Sequence, residues 1–394
     1  MVYAGRTSHL KPEGAYRVLA KANQLEASGK EIIHFEIGQP DFDTFSNVSL
    51  AGIRAITEGR TRYTPPAGMP SLREVIADDS GRRRGIHITP EEVVVGPGAK
   101  PALFFPTLTL VEPGDDVIYP DPGFPTYEAM IRVAGGVPVA VPLLEENNFS
   151  FDLDIFDRLV SARTKLIILN SPGNPTGAVM SQADLEHIAR KAMRYDCWVM
   201  SDEIYSRVTY DALAVPSIAS IPGMQSRTII VDGFSKTYAM TGWRLGYGIM
   251  PRALADQVGL LLTHSVGSTA HFSQFAGVAA IRGPQDEVTA VVAEYQRRRD
   301  LIVAGLNDLP GFHCKTPQGA FYAFPNIRST GMTSNELANL ILEKAGVALL
   351  PGSSFGGHGE GYLRLSYATS IKTIQLGLER IRTVLGQSEN GRKL

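Results

Sequence analysis

Short apolar runs recur through the first two-thirds of the chain, and glycine or polar residues end most of them. The runs are EVVVGPG (92–98), DVIYPDP (116–122), VPVAVPL (137–143), KLIILNSP (165–172), CWVMSDE (197–203), RTIIVDGFS (227–235) and GYGIM (246–250). Segments with helical spacing, such as ADLEHIARKAMRY (183–195), separate most of these runs. Continuous apolar strands that alternate with helices predict an α/β fold, with a mostly parallel seven-stranded sheet covered by helices.

The last hundred residues have a different pattern. EYQRRRDLIVAGLNDL and IKTIQLGLERIRTVLG have helical spacing, HCKTPQGAFYAFPNI is typical of a hairpin, and GVALLPGSSFGGHGEGYLRLSYA predicts two further strands. This mixture indicates a smaller α+β domain, on which an N-terminal helix at about 11–28 would pack. We therefore expect a large domain at 45–285 and a small domain formed by 1–44 and 286–394.

Polar residues cluster where five of the predicted strands end. They lie at 98–100, 121, 170–174, 202–205 and 235–236. Carboxyl ends of parallel strands meet at one edge of a sheet, and ligands bind outside that edge. The sequence therefore predicts a small-molecule site there.

Composition excludes several other functions. The formal net charge is -2, which gives no support for binding to nucleic acid or a membrane surface, and no apolar run is long enough to span a bilayer. Two cysteines predict a reducing, cytoplasmic location, and the spacing of the eight histidines predicts no metal site. The basic triplets at 82–84 and 297–299 are expected to be solvated helix faces or local ion pairs.

The segment FSKTYAMTGWRLGYG (234–248) places Lys236 and Arg244 among apolar residues, which predicts that both are buried. A desolvated lysine has a lowered pKa and becomes a usable amine nucleophile. An arginine offers a bidentate fork for phosphate or carboxylate.

Three other strand-end segments have both a structural and a functional interpretation. GPGAK is either a tight turn or the phosphate-binding start of a helix, and SPGNPTGAV is either a structural loop or a rigid mount for Asn174. In SDEIYSRV, Asp202 either caps a turn or is a partly desolvated carboxylate, which would need a cationic partner to stay ionised. Tyr205 follows three residues later and can face the same pocket.

Taken together, these residues match a pyridoxal phosphate site. Lys236 would form the Schiff base with the cofactor aldehyde, and Asp202 would keep the pyridine nitrogen protonated. Tyr205 and Asn174 would form hydrogen bonds with the ring hydroxyl. The other cofactor-binding candidates are Arg244, Gly98, Ala99, Lys100, Ser235 and, as a ring against the cofactor, Phe124.

The chain resembles the class I aminotransferases of the fold-type I pyridoxal phosphate enzymes, notably the bacterial aspartate aminotransferase branch. The resemblance covers about 11–386. It rests on GQPDFDT, YTPPAGMPSLRE, NSPGNPTGAV, SDEIYSRV, GFSKTYAMTGWRLGY, RRRD, GAFYAFP and YLRLSYA in this order.

This resemblance implies further roles. Tyr63 of YTPPAG would reach the cofactor phosphate of a partner subunit, which implies a homodimer with shared active sites. Arg364 of YLRLSYA would bind the substrate α-carboxylate, and Gly38 of IGQPDF would lie against the substrate. The implied reaction is ping-pong transfer of an amino group from an L-amino acid to a 2-oxo acid.

Two positions bear on the substrate side chain. Lys100 matches a lysine that contacts the distal carboxylate in aspartate-preferring members. Those members carry KPSAT where this chain has KPEGAY, so Glu13 and Gly14 replace the hydroxyl-bearing stretch. We expect a broader or more basic donor range, with 2-oxoglutarate or pyruvate as acceptor. Alternatively, Glu13 points to solvent or pairs with Lys100.

Three other functions compete with transamination. β-Elimination, decarboxylation or racemisation would use the same cofactor motifs. A serine hydrolase is suggested by Ser354 in GSSFG, although that motif needs a following helix. A non-catalytic regulator that binds the cofactor is the third.

Overall fold

The computed structural model describes residues 4–8, 10 and 12–389. The helices are α1 Gly14–Ala27, α2 Ser46–Thr57, α3 Pro70–Arg84, α4 Lys100–Leu110, α5 Thr126–Ala134, α6 Leu153–Leu159, α7 Gln182–Arg194, α8 Phe234–Thr237, α9 Arg252–Thr263, α10 His271–Arg282, α11 Asp286–Asn307, α12 Ser334–Leu340 and α13 Ile371–Glu389. The expected first residue of α1, Lys11, lies outside the described residues.

The strands are short outside the central part of the chain. They are β1 Ile33–His34, β2 Val93–Gly96, β3 Asp116–Asp121, β4 Val137–Pro142, β5 Thr164–Asn170, β6 Trp198–Asp202, β7 Thr228–Gly233, β8 Gly246–Ile249, β9 Tyr322–Ala323, β10 Val347–Ala348, β11 Leu350–Pro351 and β12 Leu363–Ser366.

Seven strands form the central sheet in the order β2-β8-β7-β6-β5-β3-β4. All neighbouring pairs are parallel except those of β8, which is antiparallel to both β2 and β7. In β7, Ile229 and Val231 pack into one hydrophobic cluster and Ile230 into another. Because alternate side chains of a strand point to opposite faces, both faces are covered, which explains the continuous apolar runs. The predicted α/β fold is confirmed.

The C-terminal part forms a smaller α+β region. The antiparallel sheet β11-β12-β9 and the parallel pair β1-β10 lie beside α11 and α13. The predicted hairpin reduces to β9 and an isolated bridge from His313 to Asn326, and the two predicted strands are three short ones. Pro325 and Pro351 lack the N–H donor that a longer ladder would need.

The basic triplets do not form solvated faces throughout. Three of their arginines are buried and make ion pairs between elements: Arg84 with Glu203 and Asp232, Arg298 with Asp41, and Arg299 with Asp211. A guanidinium stays charged when buried, so burial requires such partners. Local ion pairs, the alternative expectation, do form between Arg83 and Asp79 and between Arg297 and Glu294. Within the described ranges, no helix is both long and apolar enough to cross a membrane.

Candidate active site

A cavity of about 1410 Å³ opens at the carboxyl ends of the parallel strands. It is lined by twelve of the residues predicted to form the site: Glu13, Gly38, Ala99, Lys100, Phe124, Asn174, Asp202, Tyr205, Ser235, Lys236, Arg244 and Arg364. Gly98 lies directly behind the wall, since a Cβ atom on it would approach Arg244 Nη2 to 2.4 Å. Tyr63 is not brought into the cavity and is 97% exposed.

Lys236 stands in α8, directly after the central strand β7, and is partly exposed to the cavity. Its Nζ donates a hydrogen bond to the Gly38 carbonyl oxygen at 2.7 Å. Burial, together with the positive charges of Arg364 and Arg244, lowers the pKa of Lys236 to about 8. A substantial fraction of the amine is therefore neutral near physiological pH, as a nucleophile or proton acceptor requires.

Asp202 ends β6 and is buried. Its Oδ2 accepts a hydrogen bond from the Tyr127 hydroxyl at 2.7 Å, and its Oδ1 accepts one from the Ile204 amide at 3.3 Å. Burial raises the pKa of Asp202 to about 6, although the Tyr127 hydrogen bond acts in the opposite direction. The cationic partner that the sequence analysis required is not found among the described residues, so Asp202 is available to a cationic group of a ligand.

Tyr127 was missed by the sequence analysis. It lies three residues after Phe124, at the second residue of α5, and the two rings meet edge to face with centroids 5.8 Å apart. The segment YPDPGFPTYE contains both residues, so the helical spacing was the available signal.

Asn174 is held by a side chain of the neighbouring strand. The backbone N–H of Asn174 donates to Asn170 Oδ1 at 2.8 Å, and Asn170 Nδ2 donates to the Asp202 carbonyl oxygen at 3.0 Å. The Oδ1 atom of Asn174 is buried and accepts no hydrogen bond from any residue that the structure describes. A buried acceptor of this kind is costly unless a ligand donates to it.

Tyr205 pairs with a second tyrosine that the sequence analysis also missed. The hydroxyls of Tyr205 and Tyr322 lie 2.6 Å apart, and both side chains are buried. A Cβ atom on Gly38 would lie 2.1 Å from the Tyr322 hydroxyl, so only glycine fits at position 38.

Backbone and guanidinium donors meet near the start of α4. Gly98 has a φ of +87°, and α4 begins two residues later. Arg244 is exposed at the cavity mouth rather than buried, because it sits in a turn with a φ of +52° beside the exposed Gly242. Its guanidinium contacts only the carbonyls of Thr241, at 3.0 Å, and Pro97, at 3.4 Å, in the described part of the chain. A helix N-terminus beside an uncommitted guanidinium suits a phosphate.

Arg364 lies on β12 and is 3% exposed. Its Nη2 donates to the Glu36 carbonyl oxygen, and its guanidinium stacks over the Tyr322 ring at 4.5 Å from the centroid. Its Nε atom has no acceptor in the described part of the chain, and no carboxylate there forms a salt bridge with it. Burial lowers the pKa of Arg364. A buried guanidinium with a free donor is suited to a ligand carboxylate.

Glu13 and Lys100 form an ion pair at another wall of the cavity. This arrangement matches the alternative in which Glu13 pairs with Lys100, and Glu13 nevertheless lines the cavity. Lys100 Nζ also lies 5.4 Å from the Phe124 ring centroid.

Ser354 lacks the setting of a hydrolase nucleophile. It sits in a short 3-10 helix, Gly352–Phe355, which follows β11, and only a second 3-10 helix, Gly357–Gly359, separates it from β12, so no α-helix follows it there. Its Oγ is buried and has no hydrogen-bond partner within residues 4–8, 10 and 12–389. The general base that would activate the hydroxyl is therefore absent from the described structure.

The cavity therefore combines an amine of lowered pKa, a buried carboxylate and an unpaired guanidinium. A sequence profile of the family "Aminotransferase class I and II" matches residues 30–381. The chain belongs to the class I and II aminotransferases.

Curated aminotransferases resemble the chain over nearly its full length. An aspartate aminotransferase of Geobacillus stearothermophilus is 38% identical over 97% of this chain and 98% of its own. A probable aspartate/prephenate aminotransferase of Aquifex aeolicus is 40% identical over the same shares of the two chains.

Solved aminotransferase structures share the fold. The aspartate aminotransferase of Thermus thermophilus with maleate superposes with a TM-score of 0.92 at 38% identity, covering 98% of this chain and 100% of that chain. An aromatic aminotransferase of Pyrococcus horikoshii OT3 gives 0.89 at 39% identity, covering 94% and 99%. The chain is thus a transaminase with the fold-type I architecture, and both predictions are confirmed.

Proposed function

We propose that this aminotransferase uses pyridoxal phosphate to move an amino group from an L-amino acid to a 2-oxo acid in a ping-pong reaction. One observation carries the proposal: Lys236 of lowered pKa, Asp202 without a cation and Arg364 without a carboxylate line a single cavity. When bound, the cofactor would supply an electron sink for the electron pair that remains when the Cα–H bond of the substrate breaks.

The residues fit the cofactor group by group. Asp202 would face the pyridine nitrogen, and Tyr205 and the unpartnered Asn174 oxygen would face the ring hydroxyl. The phosphate would be held at the start of α4 by the backbone of Gly98, Ala99 and Lys100, with the side chains of Ser235 and Arg244. Phe124 supplies a planar apolar wall.

Lys236 carries the proton movements. Its neutral amine would take the proton from the substrate α carbon and would release the same proton on the cofactor side of the transferred nitrogen, which completes the proton shift. Arg364 binds the α-carboxylate and so fixes the direction of the Cα–H bond. Gly38 accepts a hydrogen bond from Lys236 Nζ and leaves room beside Tyr322.

We propose a homodimer with shared active sites. Four apolar or aromatic side chains around α2 are at least half exposed, at Leu50, Ile53, Ile56 and Tyr63. Ile53 and Ile56 also line the cavity, so a second copy of the chain on this surface would complete the cavity wall. Mixing Tyr63→Ala and Lys236→Ala chains should restore activity in mixed dimers, because one of their two sites then has both residues; no restoration would contradict shared sites.

We infer a donor range broader than aspartate, with 2-oxoglutarate or pyruvate as acceptor. The relatives support variation in the substrate side chain, because they are named for aspartate, for aspartate or prephenate, and for aromatic amino acids. The domain division at 45–285 and the cytoplasmic location remain predictions, the latter supported by two cysteines that form no disulfide.

Product stoichiometry tests the reaction. Incubated with an amino acid panel and 2-oxoglutarate, the holoenzyme should form one 2-oxo acid for each glutamate, without ammonia. Ammonia released in step with the 2-oxo acid would indicate β-elimination, and CO₂ without glutamate would indicate decarboxylation.

A further inference from the structure

Glu13 has an unusual setting at the start of α1. It occupies the N-cap position, where a carboxylate normally accepts a hydrogen bond from the helix backbone. Here the side chain makes no capping hydrogen bond and instead pairs with Lys100. Its other described contact is the Thr126 hydroxyl, at 3.5 Å from Oε1. The position of the carboxylate is therefore set by Lys100 and not by its own helix.

The surroundings of this pair are largely apolar. The Phe124 ring centroid lies 5.4 Å from Lys100 Nζ, and Tyr16 and Leu19 of α1 line the same cavity, with Ser354 as a neutral hydroxyl. A Cβ atom on Gly14 would lie 2.5 Å from Ser354 Oγ, so α1 approaches this wall closely. With the pair closed, this part of the cavity has no net charge, and it suits a neutral side chain.

Lys100 and Arg364 are two cationic side chains that line the same cavity as Lys236. Both positive charges also contribute to the lowered pKa of Lys236. A ligand with two carboxylates could therefore reach Arg364 with one and Lys100 with the other.

We propose that Glu13 occupies Lys100 as an internal substitute for a second substrate carboxylate. This inference rests on the proposed aminotransferase function. Neutral and aromatic side chains bind while the pair is closed, and dicarboxylic substrates bind by displacing Glu13. One site thereby serves both substrate classes in the two halves of a ping-pong reaction.

The strength of the pair decides whether such exchange is practical. The side chains of Lys100 and Glu13 are 51% and 26% exposed. Ion pairs with this exposure are weak because water screens them. A substrate carboxylate can therefore displace Glu13 from Lys100 at a small cost in free energy. Glu13 lowers the affinity for dicarboxylates without excluding them.

Ligand binding to the holoenzyme tests the proposal without turnover. The probes are maleate and isocrotonate, which share a cis four-carbon skeleton but differ in the second carboxylate. In Glu13→Gln we expect maleate to bind about threefold to tenfold more tightly, since its competitor is gone, while isocrotonate changes by less than about twofold. Equal changes for both ligands, or no change for maleate, would overturn the proposal.

A matched control separates charge competition from loosening of α1. Lys21, on the same helix, pairs with Glu343 away from the cavity at 2.7 Å. Glu343→Gln should leave both dissociation constants unchanged. If it reproduces the effect of Glu13→Gln, then Glu13 acts by holding the helix, and the proposal is wrong.

The reverse variant gives an independent result. Lys100→Gln leaves the Glu13 carboxylate uncompensated, so lysine or ornithine should gain at least about tenfold in kcat/KM as donor, and the added Glu13→Gln change should remove the gain. No gain for cationic donors would contradict the proposal. Wild-type enzyme that binds maleate but does not transaminate would contradict the proposed function alone.

Discussion

Arg84 and Arg364 are two buried guanidiniums in opposite situations. Arg84, 9% exposed at the end of α3, contacts Glu203 at 2.7 Å and Asp232 at 3.3 Å. Arg364 is 3% exposed, and no described carboxylate forms a salt bridge with it. The charge of Arg84 is therefore satisfied within the fold, whereas Arg364 keeps a donor for a ligand carboxylate. For these two buried arginines, pairing separates the structural charge from the functional one.

The same contrast holds among the carboxylates. Glu203 accepts hydrogen bonds from the hydroxyls of Ser201 and Ser217 as well as from Arg84. The adjacent Asp202 has only a phenol and one amide as donors in the described structure. Asp202 faces the cavity and is available to a ligand. Glu203, the next residue, faces the ion pairs of Arg84 and is satisfied by the fold.

Removing Arg84 should destabilise the fold, because the structure assigns this arginine a structural role. Arg84→Met leaves the buried Glu203 without a cation, whereas Asp232 keeps its ion pair with Arg83, so we expect the free energy of unfolding to fall by about 3 to 5 kcal/mol in urea titrations. Arg82→Met is the control, because the Arg82 side chain is 76% exposed. An unfolding free energy within 1 kcal/mol of the wild type for Arg84→Met would refute the structural assignment.

Removing Arg364 should weaken ligand binding without destabilising the fold. Arg364→Met abolishes an unpaired buried charge, so we expect an unfolding free energy within about 1 kcal/mol of the wild type, or a higher one. Affinity for a monocarboxylate such as isocrotonate should fall by about thirtyfold to a hundredfold, by calorimetry on the holoenzyme. A large loss of stability with intact binding would reverse the assignment.

The pH dependence of the apoprotein sharpens the contrast further. The folded pKa of Asp202, about 6, lies above its ordinary value of 3.8, so the folded chain holds this proton more tightly than the unfolded chain. Stability from this group is present at low pH and is lost as the pH rises from about 4 to about 6, by about 1 to 3 kcal/mol.

Substitution isolates this contribution. Asp202→Asn should remove the decline, whereas Asp154→Asn, on the exposed side of α6, should leave it unchanged. A wild-type curve that rises over this interval, with the same rise in Asp202→Asn, would contradict the raised pKa.

The sequence predicted the sheet well because its central strands are buried on both faces. Runs such as KLIILNSP carry their own strand signal, and the polar residues after them collect at one edge by topology alone. Residues defined by distant contacts were harder to find. Tyr127 reaches Asp202 across 75 positions and Tyr205 reaches Tyr322 across 117, and neither pair has a local pattern. Lys100 and Glu13 were both predicted, but the sequence could not decide whether they pair.

The most direct test of the account is the identity of the lysine that binds pyridoxal phosphate. The protein is incubated with the cofactor, reduced with borohydride and mapped by peptide mass spectrometry. The account predicts one adduct per chain, on Lys236, because burial gives this amine a lowered pKa inside the cavity. Lys236→Ala should lose the adduct, and Lys344→Ala, an exposed control, should keep it. An adduct on another lysine, or none, would contradict the account.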